Sequence, residues 1–240
     1  KELEEILKTV EDLVRRAKEL LRRIHEINRE SIEDIRRLLK EIHDTNKRSI
    51  EKVDELLKRK TSEETLERLV EEHKKLLEDL LRRLRRLVEE HEKKLDKLRK
   101  TIEKLVREVE ELLRRAAERV DDERARRVLK EVLRVIREVV EILKRALELS
   151  LEVLRDVVRR IEEALRLSLE VLKRVVEVAK NKRDETEIRK ILKESNDRLT
   201  EVIKEVEKVL RESDELLRDA LKKIVDVLRE VLKRLEDTVR

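Results

Sequence analysis

Apolar residues recur every three or four positions along this chain, which is the spacing that places them on one face of an α-helix. In the first 59 positions this apolar stripe runs from Leu3 to Leu56. Polar segments near residues 61, 122 and 182 interrupt the stripe. The pattern therefore predicts four helices, over about residues 2–59, 62–119, 122–180 and 185–239.

The polar interruptions carry residues that begin helices. Thr61 and Glu64 have the spacing of a capping box, in which two side chains bind backbone N–H groups at a helix start. The pair Asp121 and Asp122 supplies good N-cap residues, and Asp184 begins an acidic variant of the capping box. Because such short loops make successive helices antiparallel neighbours, the predicted fold is all-α. We expect a single-chain, antiparallel up-down-up-down four-helix bundle that forms one elongated domain.

An 18-residue repeat lies inside each predicted helix. Residues 24–41 are followed by a similar sequence at 42–59, and the second helix carries His73 and His91 in matching contexts. Eighteen residues complete five turns of a straight α-helix, whereas a heptad repeat imposes a left-handed supercoil. We therefore expect nearly straight helices.

Polar residues replace apolar ones at two heights of the predicted bundle. In a hairpin that turns near residue 61, facing residue numbers sum to about 122, as they do for Ser31 with His91. The pair Ser49 and His73 gives the same sum, and serines of the other two helices fall at matching heights. The sequence thus predicts two structural polar core layers. The first consists of Asn28, Ser31, His91, Ser150 and Ser213, and the second of Asn46, Ser49, His73, Ser168 and Ser195.

The composition lacks residues that natural helical proteins ordinarily use. None of the 240 residues is Gly, Pro, Cys, Met, Trp, Tyr or Phe, and 52% are charged. Natural proteins commonly end helices with Gly, place Pro in loops and fill cores with aromatic side chains. This composition is more typical of a computationally designed sequence than of an evolved one.

The chain resembles de novo designed, parametrically generated helical bundles with buried hydrogen-bond networks. The resemblance rests on uniform helices, a core of Leu, Ile and Val, and discrete layers of His, Asn and Ser. It implies a designed structural scaffold, without natural biochemical function, whose polar layers specify the helix register.

The third helix supports an alternative interpretation, because its apolar face is wider than a four-helix bundle requires. Apolar residues such as Leu149, Leu151 and Val158 lie on its flanks. These side chains fit a core that the four helices share. Alternatively, they fit a designed protein-interaction or self-assembly module, whose stability depends on pH through the buried histidines. We expect a monomer first, and a homo-oligomer or a designed partner chain second.

The histidines do not predict a metal site or an active site. His25 and His43 are 18 residues apart, as are His73 and His91, which is too far for chelation. A Ser–His pair alone does not predict catalysis, because backbone locked in helices forms no oxyanion hole. We expect no enzyme activity, no metal or other cofactor, and no small-molecule substrate.

The charge pattern does not predict nucleic-acid or membrane binding. The densest basic cluster is Arg82, Arg83, Arg85 and Arg86, but the chain mixes 65 basic with 60 acidic residues. It also has no aromatic side chain to stack on a base. Charges interrupt every apolar stretch, so neither a signal peptide nor a membrane span is expected. We expect a soluble protein, cytoplasmic in an expression host, of otherwise undetermined compartment.

Overall fold

Four long helices make up the computed structural model, which describes residues 2–181 and 184–239. The helices are α1 (Glu2–Lys58), α2 (Glu63–Arg119), α3 (Glu123–Asn181) and α4 (Glu185–Val239). No strand occurs in the described residues. The helices pack as a bundle, so the predicted all-α four-helix fold is confirmed, and the predicted bounds differ from the observed ones by at most one residue.

Ion pairs between helices show the antiparallel order of α2 and α3. Lys180, near the end of α3, binds Glu67, near the start of α2. Farther back along α3, Glu162 binds Arg85 at 2.7 Å, and Arg85 lies farther along α2 than Glu67 does. Residue numbers therefore fall along one helix as they rise along the other.

The end of α1 is closed by a Schellman motif without glycine. Lys60 has a left-handed backbone, with φ 53°, and its N–H donates to the carbonyl of Leu57 at 3.3 Å. The N–H of Thr61 donates to the carbonyl of Leu56 at 3.2 Å, and the Thr61 hydroxyl donates to the same carbonyl at 2.8 Å. These bonds satisfy carbonyls that the helix leaves without partners at its C-terminus.

The start of α2 corrects a prediction made from the sequence. Leu66 N–H donates to the carbonyl of Ser62, and the hydroxyls of Ser62 and Thr65 are hydrogen-bonded at 2.9 Å. Ser62 is therefore the N-cap residue. The predicted capping box of Thr61 and Glu64 is wrong, because α2 begins at Glu63 and Ser62, not Thr61, occupies the N-cap position.

Aspartates cap the other two helix starts. The Asp122 carboxylate accepts a hydrogen bond from the N–H of Arg124 at 3.1 Å. The Asp184 carboxylate accepts from the N–H groups of Thr186, at 3.1 Å, and Glu187, at 3.4 Å. Both aspartates thus bind backbone donors that have no partner within the helix, as predicted.

The packing of the chain divides it into two compact units. Unit 1 consists of the described parts of residues 1–29, 91–152 and 212–240. Unit 2 consists of residues 30–90 and 153–211. The expectation that residues 1–240 form one domain stays a prediction.

Unit 2 contains a hydrophobic cluster to which all four helices contribute. Burying each Leu or Ile side chain of such a cluster is worth about 1.5–3 kcal/mol relative to leaving it exposed. The cluster therefore holds the helices of this unit together. Its buried members are Val53, Leu57, Leu66, Leu172, Val175, Ala179, Ile188 and Leu192.

The flanks of the apolar face on α3 are half-buried. Leu149 and Val158, for example, both fall in this intermediate range. Among the described residues, the large apolar side chains that are exposed lie on other helices, at Leu76, Leu112 and Leu216. None of the helices in the described part of the chain is long and apolar enough to span a bilayer.

Candidate functional site

All ten residues of the predicted polar layers are buried, with exposed fractions between 1% and 8%. Burial of a polar group without a hydrogen bond costs about 1–3 kcal/mol, so each of these side chains requires a partner or an explanation. The layer residues, in chain order, are Asn28, Ser31, Asn46, Ser49, His73, His91, Ser150, Ser168, Ser195 and Ser213.

The second predicted layer falls wholly within unit 2 and draws on all four helices. We call it the unit 2 polar cluster. On α1 its two residues are three positions apart, which places them on the same face of the helix. Its members are Asn46 and Ser49 on α1, His73 on α2, Ser168 on α3 and Ser195 on α4.

A hydrogen bond joins α1 to α2 inside this cluster, between the Ser49 hydroxyl and Nδ1 of His73. In a neutral imidazole one ring nitrogen donates and the other accepts, so the tautomer decides which of the two residues is the donor. The bond links the two residues whose numbers place them opposite each other in the hairpin.

A second hydrogen bond joins α3 to α1, because the Ser168 hydroxyl donates to Oδ1 of Asn46 at 3.2 Å. The Asn46 Nδ2 group is buried and has no protein partner. The sequence left the pairing within each layer open. Asn46 and Ser168 are 122 positions apart, and only the packing of α3 on α1 identifies them as partners.

Burial controls the protonation of His73, whose side chain is 2% exposed. Loss of hydration disfavours the charged imidazolium and lowers the pKa of His73 from 6.5 to about 4. At neutral pH the ring is therefore uncharged. Its Nε2 atom is buried and has no protein partner.

A small cavity of about 20 Å³ lies beside the hydroxyl-bearing residues Ser168 and Ser195. Apolar side chains, including Leu167 and Val171, form much of its wall. A space of this size accommodates about one water molecule and excludes an organic substrate.

The first predicted layer is divided between the units. Asn28, His91, Ser150 and Ser213 belong to unit 1, whereas Ser31 belongs to unit 2. Within unit 1, the Ser150 hydroxyl donates to the carbonyl of Ala146, one turn earlier on its own helix, at 3.1 Å. Ser150 is thus satisfied locally, as buried serines in helices often are, rather than across the bundle.

The unit 2 polar cluster contains a Ser–His pair, but it lacks the other parts of a nucleophilic site. A catalytic His is oriented by a third group on its other nitrogen, and the Nε2 of His73 has no such group. Ser49 lies inside α1, so its backbone N–H is within a continuous helix and not free to bind an oxyanion. No cluster of three or more potential ligands able to hold a metal ion occurs in residues 2–181 and 184–239.

The predicted basic cluster on α2 is exposed and largely paired with acids. Arg82 lies 3.6 Å from Asp79 on its own helix. Arg83 binds Glu41 on α1 at 3.0 Å, in unit 2. Arg85 also binds Glu162 on α3. The cluster is therefore a solvated helix face whose basic charges are largely balanced by acidic partners.

Comparison with known proteins gives one partial family match. The sequence model of a family described as "Domain of unknown function (DUF892)" matches residues 32–129, less than half of the chain. No curated protein matches the chain. Among solved structures, the chain is similar to a "Computationally designed three helix bundle", at 16% identity and a TM-score of 0.42 over 99% of this chain and 93% of that one.

The family match corrects the interpretation drawn from the composition. Similarity of residues 32–129 to a natural family contradicts the resemblance to de novo designed bundles. The expected designed scaffold without natural function is therefore wrong, and so is the alternative of a designed interaction or assembly module on α3. The absence of Gly, Pro and aromatic residues is a property of the core and the loops, and it does not show that the sequence was designed.

Proposed function

We propose that this chain is a non-enzymatic helical protein in which the unit 2 polar cluster binds helices to one another and not a substrate. The proposal rests on two buried hydrogen bonds of this cluster, each of which joins one helix to another. Ser49 and His73 join α1 to α2, and Ser168 and Asn46 join α3 to α1. The polar groups of a substrate site point instead into a cleft that the ligand enters.

The surroundings of His73 support a structural role for it. A general base works best with a pKa near the operating pH, whereas burial brings the pKa of His73 to about 4. The cavity beside Ser168 and Ser195, about 20 Å³, is too small for an ester or a peptide. Both features favour packing over catalysis.

The proposal extends to partners: we expect a monomer that binds neither nucleic acid nor a membrane. The ion pairs of Arg83 with Glu41 and of Arg85 with Glu162 support it, because they neutralise the charges that phosphate groups would need. A surface with many basic residues and no acidic residues beside them would instead indicate nucleic-acid binding.

Hydrolysis of an activated ester tests the absence of catalysis. Any exposed imidazole hydrolyses such an ester slowly, so the half-buried His25 and His43 provide matched controls for His73. We expect a linear, non-saturating rate that H25Q and H43Q reduce and H73Q leaves unchanged. Saturable hydrolysis that is lost in H73Q and in S49A would contradict the proposal.

Absolute mass by light scattering after gel filtration tests the oligomeric state. Concentration must be read by refractive index, since the chain has no Trp or Tyr. We expect 29.1 kDa, the mass of one chain, at all concentrations. A mass that rises with concentration toward a dimer would overturn the monomer.

A further inference from the structure

Unit 1 contains an apolar cavity of about 50 Å³ to which all four helices contribute. Every residue that lines it is Val, Leu, Ile or Ala. Interiors are normally packed as densely as organic crystals, so a void of this size leaves its lining short of dispersion contacts. The lining includes Val14, Ala17, Val106, Val139 and Val231.

Short side chains form part of the lining and help to leave the space open, while Leu and Ile form the rest of it. Val14 and Ala17 of α1 face the cavity together with Val106 of α2, and each is shorter than the Leu or Ile found at many other core positions. Val139 of α3 and Val231 of α4 are also buried there and equally short. A β-branched side chain in a helix has one strongly preferred χ1 rotamer, so Val does not swing inward to fill the gap.

The chemistry of the lining determines what such a cavity accepts. With no donor or acceptor among its side chains, it offers a water molecule none of the two to four hydrogen bonds that buried water needs. A dry apolar cavity of about 150 Å³ is known to hold benzene or xenon. At about 50 Å³, the cavity of unit 1 is too small for benzene.

We propose that unit 1 binds a small apolar molecule in this cavity, of a size comparable to a xenon atom and well below that of benzene. Ala17 and Val106 are only half-buried, so a ligand of that size enters between α1 and α2 through side-chain motion. The ligand carries no hydrogen-bonding group, and the lining of the site shares no residue with the unit 2 polar cluster.

Methyl NMR spectroscopy under xenon pressure tests the proposal on the intact chain. We expect saturable shifts of the methyl signals of Val14, Val106 and Val139, and none for Val53 and Val175 in the hydrophobic cluster of unit 2. Benzene at its solubility limit should shift none of them. Absence of xenon shifts at the cavity, or equal shifts in both groups of valines, would overturn the site.

Two matched Val→Ile substitutions separate cavity filling from a general change in packing. V139I adds one methylene to the cavity wall, so it should abolish the xenon shifts and raise Tm by roughly 2 °C. V175I adds the same methylene to a core position that lines no described cavity, so it should lower Tm and keep the xenon shifts. V14I repeats the first test from α1. Xenon shifts that persist in both V139I and V14I would refute the assignment.

Discussion

The imidazole of His73 on α2 and the hydroxyl of Ser49 on α1 are hydrogen-bonded to each other within the buried core of unit 2. In the neutral ring Nδ1 makes this bond as either donor or acceptor, and the buried Nε2 has no protein partner to stabilise a second proton. Protonation of the ring would therefore place an uncompensated charge in the core, which is strongly unfavourable. The stability of the fold and the protonation of His73 are linked through this contact.

Acid should destabilise the protein through His73. Its pKa is about 4 in the folded state, whereas the unfolded value is 6.5. Between these values the unfolded chain binds more protons, so the contribution is complete above pH 6.5 and is lost as the pH falls toward 4. We expect a loss of about 3 kcal/mol in the free energy of unfolding over this range, measured by urea denaturation at a series of pH values.

Carboxylates also titrate in acid, so the informative quantity is the difference between the wild type and H73Q. That variant should remove most of the slope between pH 5 and 6.5, where few carboxylates titrate. H43Q, which replaces a half-buried histidine, serves as the matched control and should keep the slope. Equal slopes in the wild type and H73Q would show that His73 does not carry the effect.

Two buried serines should respond differently to the same substitution. S168A removes the donor to Asn46 and leaves a buried amide oxygen without its partner, which should cost about 1–3 kcal/mol. S150A removes a bond to the carbonyl of Ala146, which lies within the same helix, and should cost less than about 1 kcal/mol. Both side chains are 4% exposed, so urea denaturation compares them at matched burial. Equal losses would mean that the bond between helices adds nothing.

Helix bounds and buried polar positions could be predicted because both depend on periodicity. A polar residue in a stripe of apolar ones, such as Asn46 or His73, must enter the core if the helix keeps its face toward the bundle. Facing positions in a hairpin follow from the rise per residue alone, which brings Ser49 opposite His73.

The bonding pattern and the loop details could not be predicted, because they depend on single dihedral angles. The Ser150 hydroxyl donates to a carbonyl of its own helix, whereas the Ser168 hydroxyl donates to a side chain on a neighbouring helix. Both serines nevertheless occupy the same kind of position in the repeat. Thr61 and Ser62 are both good N-cap residues, and only the left-handed turn at Lys60 decides between them. The cavity of unit 1 arises from how side chains of four helices meet, which the pattern of one helix does not contain.

Glycine in place of Lys60 should stabilise the protein. A left-handed residue with a Cβ costs about 1–2 kcal/mol, and the greater freedom of Gly in the unfolded chain offsets about 0.5–1 kcal/mol of that gain. With φ at 53°, K60G should therefore raise the free energy of unfolding by about 0.5–1 kcal/mol. K52G, at an exposed position inside α1, should lower it by about 1 kcal/mol. A loss of stability in K60G would argue against the left-handed turn.

Removal of the cap at the start of α4 should weaken the helix locally. The Asp184 carboxylate accepts hydrogen bonds from the N–H groups of Thr186 and Glu187, which have no partners within the helix. D184A should lower the free energy of unfolding by about 0.5–2 kcal/mol and increase amide hydrogen exchange in the first turn of α4. D121A removes an exposed aspartate that precedes the N-cap Asp122, so it should change stability by less than about 0.5 kcal/mol. Equal losses of stability in D184A and D121A would mean that negative charge, and not capping, accounts for the effect. D184N keeps a capping oxygen without the charge, so it should retain most of the wild-type stability.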